Sequence, residues 1–322
     1  MRTRKLGSSA EVGAIGLGCM GMSFAYSRSR RDDAESARVI NRAIDLGATL
    51  IDTADVYGPH TNEELVGRAI RGRREELVLS SKCGLIVDRA GEIVPDGRPE
   101  QLRAAAEGSL RRLGVDRIDL YQLHRVDPRV PVEESWGVLA ELVAEGKVGA
   151  IGLSEVTVAE LDAAHRIHPV ATVQSELSLW SQEQLDDVVP WCRGHGAGFI
   201  AYSPLGRAFL TGTITAARQL ERDDWRLGNP RFQPDAIEAN QKLADSVGDI
   251  AAAYGATASQ VALAWVLAQG DQVVPIPAPN GWPTWRRTSA PSTCNSPPRT
   301  STGSADWAGR PSAPATELGT RY

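Results

Sequence analysis

Ile51-Asp52-Thr53-Ala54-Asp55-Val56-Tyr57-Gly58 is the stretch on which the reading of the fold turns. The lead-in Ala48-Thr49-Leu50-Ile51 is a short apolar run of the kind that forms a buried strand, and polar residues begin where it ends. Asp52 therefore falls at a strand tip, with Tyr57 in the loop before a helix that opens near Thr61. In α/β barrels the carboxyl ends of the strands carry the chemistry. Taken alone, the same letters fit an aspartate that caps a turn and a half-buried loop aromatic equally well.

Outward from this stretch, strands and helices alternate. Residues 1–13 read as a hairpin with a Gly7-Ser8-Ser9 turn. A strand then runs into Leu17 and a helix opens at Asp32-Asp33 and stops at Gly47. After the strand 48–52 come a helix over 62–70, a strand over 77–82, a polar loop and a helix over 99–113. Next are a strand over 118–124, a helix over 132–145, a strand over 148–153 and a helix over 157–167. A strand over 170–175, a helix over 181–195 and a strand over 198–202 complete that run. An irregular excursion from Gly206 to about Gln233 precedes helices near 235–254 and 257–269 and a last strand over 272–276. Eight strands separated by helices predict a (β/α)8 TIM barrel with a short N-terminal β-hairpin.

The alternative is a doubly wound sheet with a nucleotide turn after its first strand. Gly16, Gly18 and Gly21 do spell G-x-G-x-x-G. That motif needs a helix to open at once on the pyrophosphate, and here Ser23-Phe24-Ala25-Tyr26-Ser27-Arg28-Ser29 follows as a loop. The glycines are expected to serve a tight turn at a barrel rim.

Composition narrows the function classes. With 42% hydrophobic and 23% charged residues, the 322-residue chain has the balance of a water-soluble globular protein. A net charge of -5 gives no reason to expect nucleic acid or an anionic membrane as partner. No apolar run reaches membrane-span length and the N-terminus lacks a signal-peptide core, so a cytoplasmic location is expected. Cys19, Cys83, Cys192 and Cys294 stand far apart without metal-ligand spacing and are read as reduced thiols. Oligomeric state does not follow from the sequence.

Three strand tips bear the chemistry: Asp52 with Tyr57 after the second strand, Lys82 ending the third, His124 ending the fourth. An ammonium at the end of an apolar strand needs a partner, and Asp52 is at hand. A phenol ionises near pH 10 (about 10 in model peptides). An adjacent cation stabilises its phenolate and eases proton donation near neutrality. Asp52 would hold Lys82 charged and in place, while His124 would hydrogen-bond an incoming carbonyl oxygen or the tyrosine. The set suits protonation of an alkoxide as hydride arrives at carbon. It contains no metal ligand set and no nucleophile with an adjacent base.

With these residues in view, the sequence resembles the aldo-keto reductase superfamily. Asp52-Thr53-Ala54-Asp55-Val56-Tyr57-Gly58, Asn62-Glu63, Ser81-Lys82, Asp119-Leu120-Tyr121-Gln122-Leu123-His124, Ile151-Gly152-Leu153-Ser154, Gln174-Ser175 and Ala201-Tyr202-Ser203-Pro204-Leu205-Gly206 all match its motifs. The resemblance spans residues 1–277, with the flavour of the long-loop bacterial type. It implies NADPH-dependent reduction of small aldehydes or ketones by a tetrad of Asp52, Tyr57, Lys82 and His124, with Tyr57 as proton donor. It also implies that Ser154 and Gln174 contact the nicotinamide carboxamide and Tyr202 stacks on the ring. By the same resemblance Ser203, Leu205 and Gly206, with Arg207, approach the pyrophosphate. Glu155 stands where many members carry asparagine. The other readings are a cofactor-sensing binding protein on the same barrel and a truncated product with impaired cofactor binding.

The resemblance stops at Pro277. Residues 278–322 are dense in Pro, Ser, Thr, Gly and Trp and read as a poorly ordered tail. Suitable codons for Ala278 to Pro291, read one base out of phase, encode Gly-Thr-Lys-Arg-Val-Ala-Tyr-Leu-Glu-Glu-Asn-Val-Gly-Ala. That is the continuation the family resemblance implies, with a Lys-Arg pair for the 2′-phosphate and then a closing helix. We therefore hypothesise a frameshift just after Pro277, which weakens NADPH binding. Resequencing the gene, with an intact mass of the natural product, tests it: an unshifted frame would sink the idea.

Overall fold

The computed structural model describes residues 1–278, Ser9 excepted. β1 (Thr3–Leu6) and β2 (Ala10–Gly13) form an antiparallel hairpin. β3 (Leu17–Gly18), α1 (Asp33–Asp45), β4 (Leu50–Asp52), α2 (Thr61–Ala69) and β5 (Val78–Cys83) follow. A second hairpin, β6 (Leu85–Val87) with β7 (Ile93–Pro95), interrupts the alternation before α3 (Pro99–Leu113). It occupies the stretch expected to be a polar loop. Next come β8 (Ile118–Leu123), α4 (Val132–Ala144), β9 (Val148–Ser154), α5 (Val158–His165), β10 (Thr172–Glu176), α6 (Val188–His195) and β11 (Gly198–Tyr202). Short 3₁₀ turns fill the excursion before α7 (Pro234–Ala253), α8 (Ala258–Leu267) and β12 (Val273–Pro275).

Local chemistry sets these boundaries. Asp32 caps α1 by accepting from the Glu35 N–H at 2.9 Å, and Thr157 with Glu160 forms a capping box at the start of α5. α3 begins at Pro99 and ends at Gly114, whose φ of 67° is the left-handed stop. α6 is shorter than the expected 181–195. Pro190 is compatible only with a helix's first turn, so the helix cannot reach back beyond Val188.

Eight parallel strands run in the order β12-β11-β10-β9-β8-β5-β4-β3. The ring is completed by two backbone bonds, Gly16 N–H to Pro275 O at 3.0 Å and Gly18 N–H to Pro277 O at 3.1 Å. This is the expected (β/α)8 barrel. Gly16 and Gly18 of the G-x-G-x-x-G string serve the seam of the ring, while Gly21 lies in the tight 3₁₀ turn Met20–Met22 that follows β3. A Cβ on Gly18 would lie 2.8 Å from the Ile276 carbonyl oxygen, so the seam between first and last strands closes only without a side chain there.

Side chains alternate in and out along each strand. Outward positions such as Ile51, Leu79, Tyr121, Ile151 and Val173 join the large core under the helices. Inward positions Leu50, Leu120, Ile200 and Val274 form an apolar floor with Leu6 and Val12 of the first hairpin. Above that floor the inward positions are polar. Trp180 is 1% exposed and packs on Phe209 and Phe232, with ring centroids 4.3 and 5.6 Å away. It anchors the excursion's own small core. The tail from residue 279, with its expected effects on barrel closure and 2′-phosphate contacts, lies outside the described residues.

Candidate active site

β4, β5 and β8 deliver Asp52, Lys82 and His124 to the same end of the barrel, as their shared parity requires. Lys82 is fully buried. Its Nζ donates to Asp52 Oδ1 at 2.5 Å and to the Thr53 carbonyl at 2.8 Å. Asp52 Oδ2 accepts from Ser80 Oγ and from Gln174 Nε2, both at 2.9 Å, and from Gln122 Nε2 at 3.5 Å. The buried cation and anion thus neutralise each other, and the carboxylate's remaining lone pairs are occupied.

Tyr57 arrives on the loop after β4. Lys82 Nζ lies 5.2 Å from its ring centroid, and the His124 ring meets it edge-on at 5.7 Å. The loop is pinned on both sides. Thr53 Oγ1 donates to Asn62 Oδ1 at 2.6 Å, and Asn62 Nδ2 donates to Ser23 Oγ at 2.6 Å and to the Cys19 carbonyl at 3.0 Å. Within the loop, the Asp55 carboxyl is pushed well above the usual carboxylate range, first by burial and then by Glu63.

His124 is held neutral: burial, then Arg125 and Lys82, lower its pKa well below the ordinary imidazole value. Its buried Nδ1 has no partner among the described residues. A neutral imidazole opening on a cavity can donate one N–H to a ligand oxygen.

A cavity of about 510 Å³ opens over these residues, within the range of small-molecule sites. Met20, Phe24, Val56, Leu85 and Ile93 give it an apolar wall beside Tyr57 and His124. Phe24 lies nearly parallel to Tyr57, with centroids 5.8 Å apart. On the other side the cavity passes Ser154, Gln174 and Tyr202 and continues along Ser203, Leu205, Arg207 and Ala208 to Thr257–Ser259. Every residue named for cofactor contact therefore lines it, Gly206 excepted. Gly206 turns the loop, with a φ of 55°.

Two residues are committed elsewhere. The Arg207 guanidinium donates to Glu176 Oε2 at 2.8 Å and stacks 4.6 Å from the Trp225 ring. Glu176 is shared with Arg231, also at 2.8 Å. Burial disfavours the Glu176 carboxylate, but the two arginines outweigh it and hold the group below its ordinary pKa. Arg207 thus faces the cavity as half of a neutral buried pair. The Glu155 carboxylate accepts from the Glu176 N–H at 2.9 Å, so it fixes the tip of β10. Among the described residues, no group of three or more His, Cys, Asp or Glu could hold a metal ion.

Ser80 and Gln122 were not singled out from sequence, though both sit an even number of places from residues that were. Two steps before Lys82 and two before His124, they share the inward parity of the tetrad.

Comparison with known proteins gives a consistent result. A model of the aldo/keto reductase family matches residues 14–280. A glycerol dehydrogenase from Gluconobacter oxydans is similar at 30% identity over 89% of this chain and 90% of that one, with a TM-score of 0.80. An aldo/keto reductase from Klebsiella pneumoniae, solved with NADP and acetate, is similar at 29% identity over 89% and 88% of the two chains, with a TM-score of 0.68. An aldo-keto reductase from the same organism, solved with NADPH, is 30% identical over 89% and 88%, with a TM-score of 0.66.

Proposed function

The chain belongs to the aldo/keto reductase family, and from that premise we propose that it reduces small aldehydes or ketones to alcohols, with NADPH as hydride donor and Tyr57 as proton donor. One observation carries this reading: a fully buried Lys82 ammonium 5.2 Å from the Tyr57 ring, with His124 beside them on the wall of one cavity.

NADP(H) is the cofactor, as in the Klebsiella pneumoniae relatives. The residues on the wall fit it. Gln174 spends its NH₂ on Asp52 and keeps its carbonyl oxygen as the acceptor for a carboxamide N–H. Ser154 supplies a hydroxyl, and Tyr202 a ring to stack on nicotinamide. Ser203, Arg207 and Ala208 have left-handed backbones, with φ of 48°, 55° and 75°. Such runs turn successive main-chain N–H groups toward an anion. The loop 203–208 therefore meets the pyrophosphate through its main chain, since the Arg207 guanidinium is already paired with Glu176.

When bound, NADPH supplies the hydride. The chain positions the carbonyl and supplies the proton. The neutral His124 imidazole donates a hydrogen bond to the carbonyl oxygen and fixes which face is presented. As negative charge develops on that oxygen, the Tyr57 hydroxyl transfers its proton there. The Lys82 ammonium stabilises the phenolate left behind, and Asp52 keeps Lys82 charged and placed. Tyr57 recovers its proton from solvent. The apolar wall of Met20, Phe24, Val56, Leu85 and Ile93 keeps water from competing for these donors.

NADPH oxidation across a panel of small aldehydes and ketones tests the reading. Turnover is expected with the parent chain and its loss with Tyr57→Phe. Equal rates in the two proteins would remove Tyr57 from the mechanism, and an absence of turnover from the parent would favour a cofactor-sensing role.

A further inference from the structure

Barrel interiors are ordinarily packed with branched apolar side chains. Here a buried polar layer lies between the apolar floor and the tetrad. Ser80, Gln122 and Thr172, on β5, β8 and β10, are all 0% exposed. None of them lines the cavity. Polar groups so placed cost stability unless satisfied, and these are satisfied in one direction. Thr172 Oγ1 donates to Gln122 Oε1 at 3.5 Å, and Gln122 Nε2 donates to Ser80 Oγ at 3.0 Å. Ser80 Oγ then donates to Asp52 Oδ2 at 2.9 Å. Every link points its hydrogen toward the carboxylate. Bonds aligned head to tail polarise one another, so the positive end of the chain rests on Asp52, opposite Lys82.

We propose that Ser80 and Gln122 are positioning residues for the reaction, holding the Asp52 carboxylate aimed at Lys82, and through Lys82 placing the charge beside Tyr57. This inference rests on the reductase reading above. Apart from Lys82, the titratable groups that bear on this layer are Cys19, which feels the Asp52 charge, and His124 and Tyr57, which stand beyond Lys82. The alternative is that the layer only fills space. The two differ in sign. Filler polar groups could be exchanged for apolar ones of similar volume with no loss of activity. Positioning groups, so exchanged, would slow the chemistry by more than any loss of stability accounts for.

The test uses the full chain with Gln122→Met, Ser80→Ala and the double variant. The expected result is a Tm lowered by a few degrees at most and a fall in kcat of about tenfold or more, the worth of one hydrogen bond to a charged group. KM for the carbonyl and Kd for NADPH should hold within about twofold, since neither residue lines the cavity. The double variant should lose less than the product of the single losses, because Gln122 acts largely through Ser80. In the absence of cofactor, the NMR chemical shift of the Asp52 carboxyl carbon at neutral pH should move in each variant, while those of distant surface carboxylates hold. Unchanged kcat, or a kcat loss matched by equal losses in Tm and NADPH affinity, would overturn the proposal. If the parent showed no turnover, the reductase reading would fall, and the carboxyl-carbon shift would still decide whether the chain of donors bears on Asp52.

Discussion

Lys82 Nζ stands 5.2 Å from the centroid of the Tyr57 ring, with no water-exposed surface of its own. A cation so placed has lost its hydration and must be compensated by protein. Asp52 does this on one side, and a phenolate formed at Tyr57 would do it on the other. On the proposed mechanism, the proton of Tyr57 is the mobile one in this cluster.

Removing that proton isolates its contribution. General acid catalysis is worth about 10² to 10⁴ in rate, so Tyr57→Phe should lower kcat by that range and leave KM nearly unchanged. Steady-state NADPH oxidation measures it. A fall confined to KM would assign the phenol to binding.

Acid should loosen this fold through His124. Its folded-state pKa lies well below the ordinary 6.5, mainly because of burial. Below that ordinary value the unfolded chain takes up a proton that the folded chain refuses, so stability is full above it and declines as pH falls. The slope approaches about 1.4 kcal/mol per pH unit for one such group. His124→Gln lacks the term. Urea unfolding of both proteins from neutral pH into the acid range should show the parent losing the more stability of the two. Parallel curves would contradict the assignment.

Glu176 serves two buried arginines, so its loss should be felt across the excursion. Glu176→Gln leaves Arg207 and Arg231 without their shared counter-ion. Breaking a buried pair from one side typically costs about 3–5 kcal/mol. Chemical denaturation should report a loss of that size, and proteolysis should begin within 206–233. Resistance equal to the parent's would mean that solvent already screens the cluster.

Replacing the sequence after Pro277 by its out-of-phase continuation introduces a Lys-Arg pair. Charge-assisted hydrogen bonds are worth about 1.5–3 kcal/mol each. Two of them should tighten NADPH binding by about a hundredfold or more and leave NADH binding nearly unchanged. Fluorescence titration of both chains with both nucleotides checks this. Equal NADPH affinities would deprive the frameshift of its functional consequence.

The barrel was legible in the sequence because each of its strands is short, apolar and followed by its own punctuation. Asp32, Pro99 with Gly114, and Thr157 mark helix ends whatever the tertiary context. The grouping of Asp52, Tyr57, Lys82 and His124 was legible for a related reason: a charged or polar residue closing an apolar run stands out. Ser80 and Gln122 did not stand out, because they sit inside runs whose outward members, Leu79 and Tyr121, supply the apolar signal. The role of Arg207 was hidden by distance. Its partner Glu176 lies on another strand, and the excursion that joins them is shaped by Trp180, Phe209 and Phe232 meeting across long chain separations. The second hairpin was missed because Leu85–Val87 and Ile93–Pro95 are each too short to register a period.

Gly18 has a neighbour on each flank. Its N–H reaches across to Pro277 O, while its strand register sets it against Asp52, whose carbonyl accepts from the Cys19 N–H at 2.9 Å. The seam between first and last staves and the seat of the acid thus share one short stretch of backbone. A substitution that pries that seam open is therefore expected to unseat Asp52 as well.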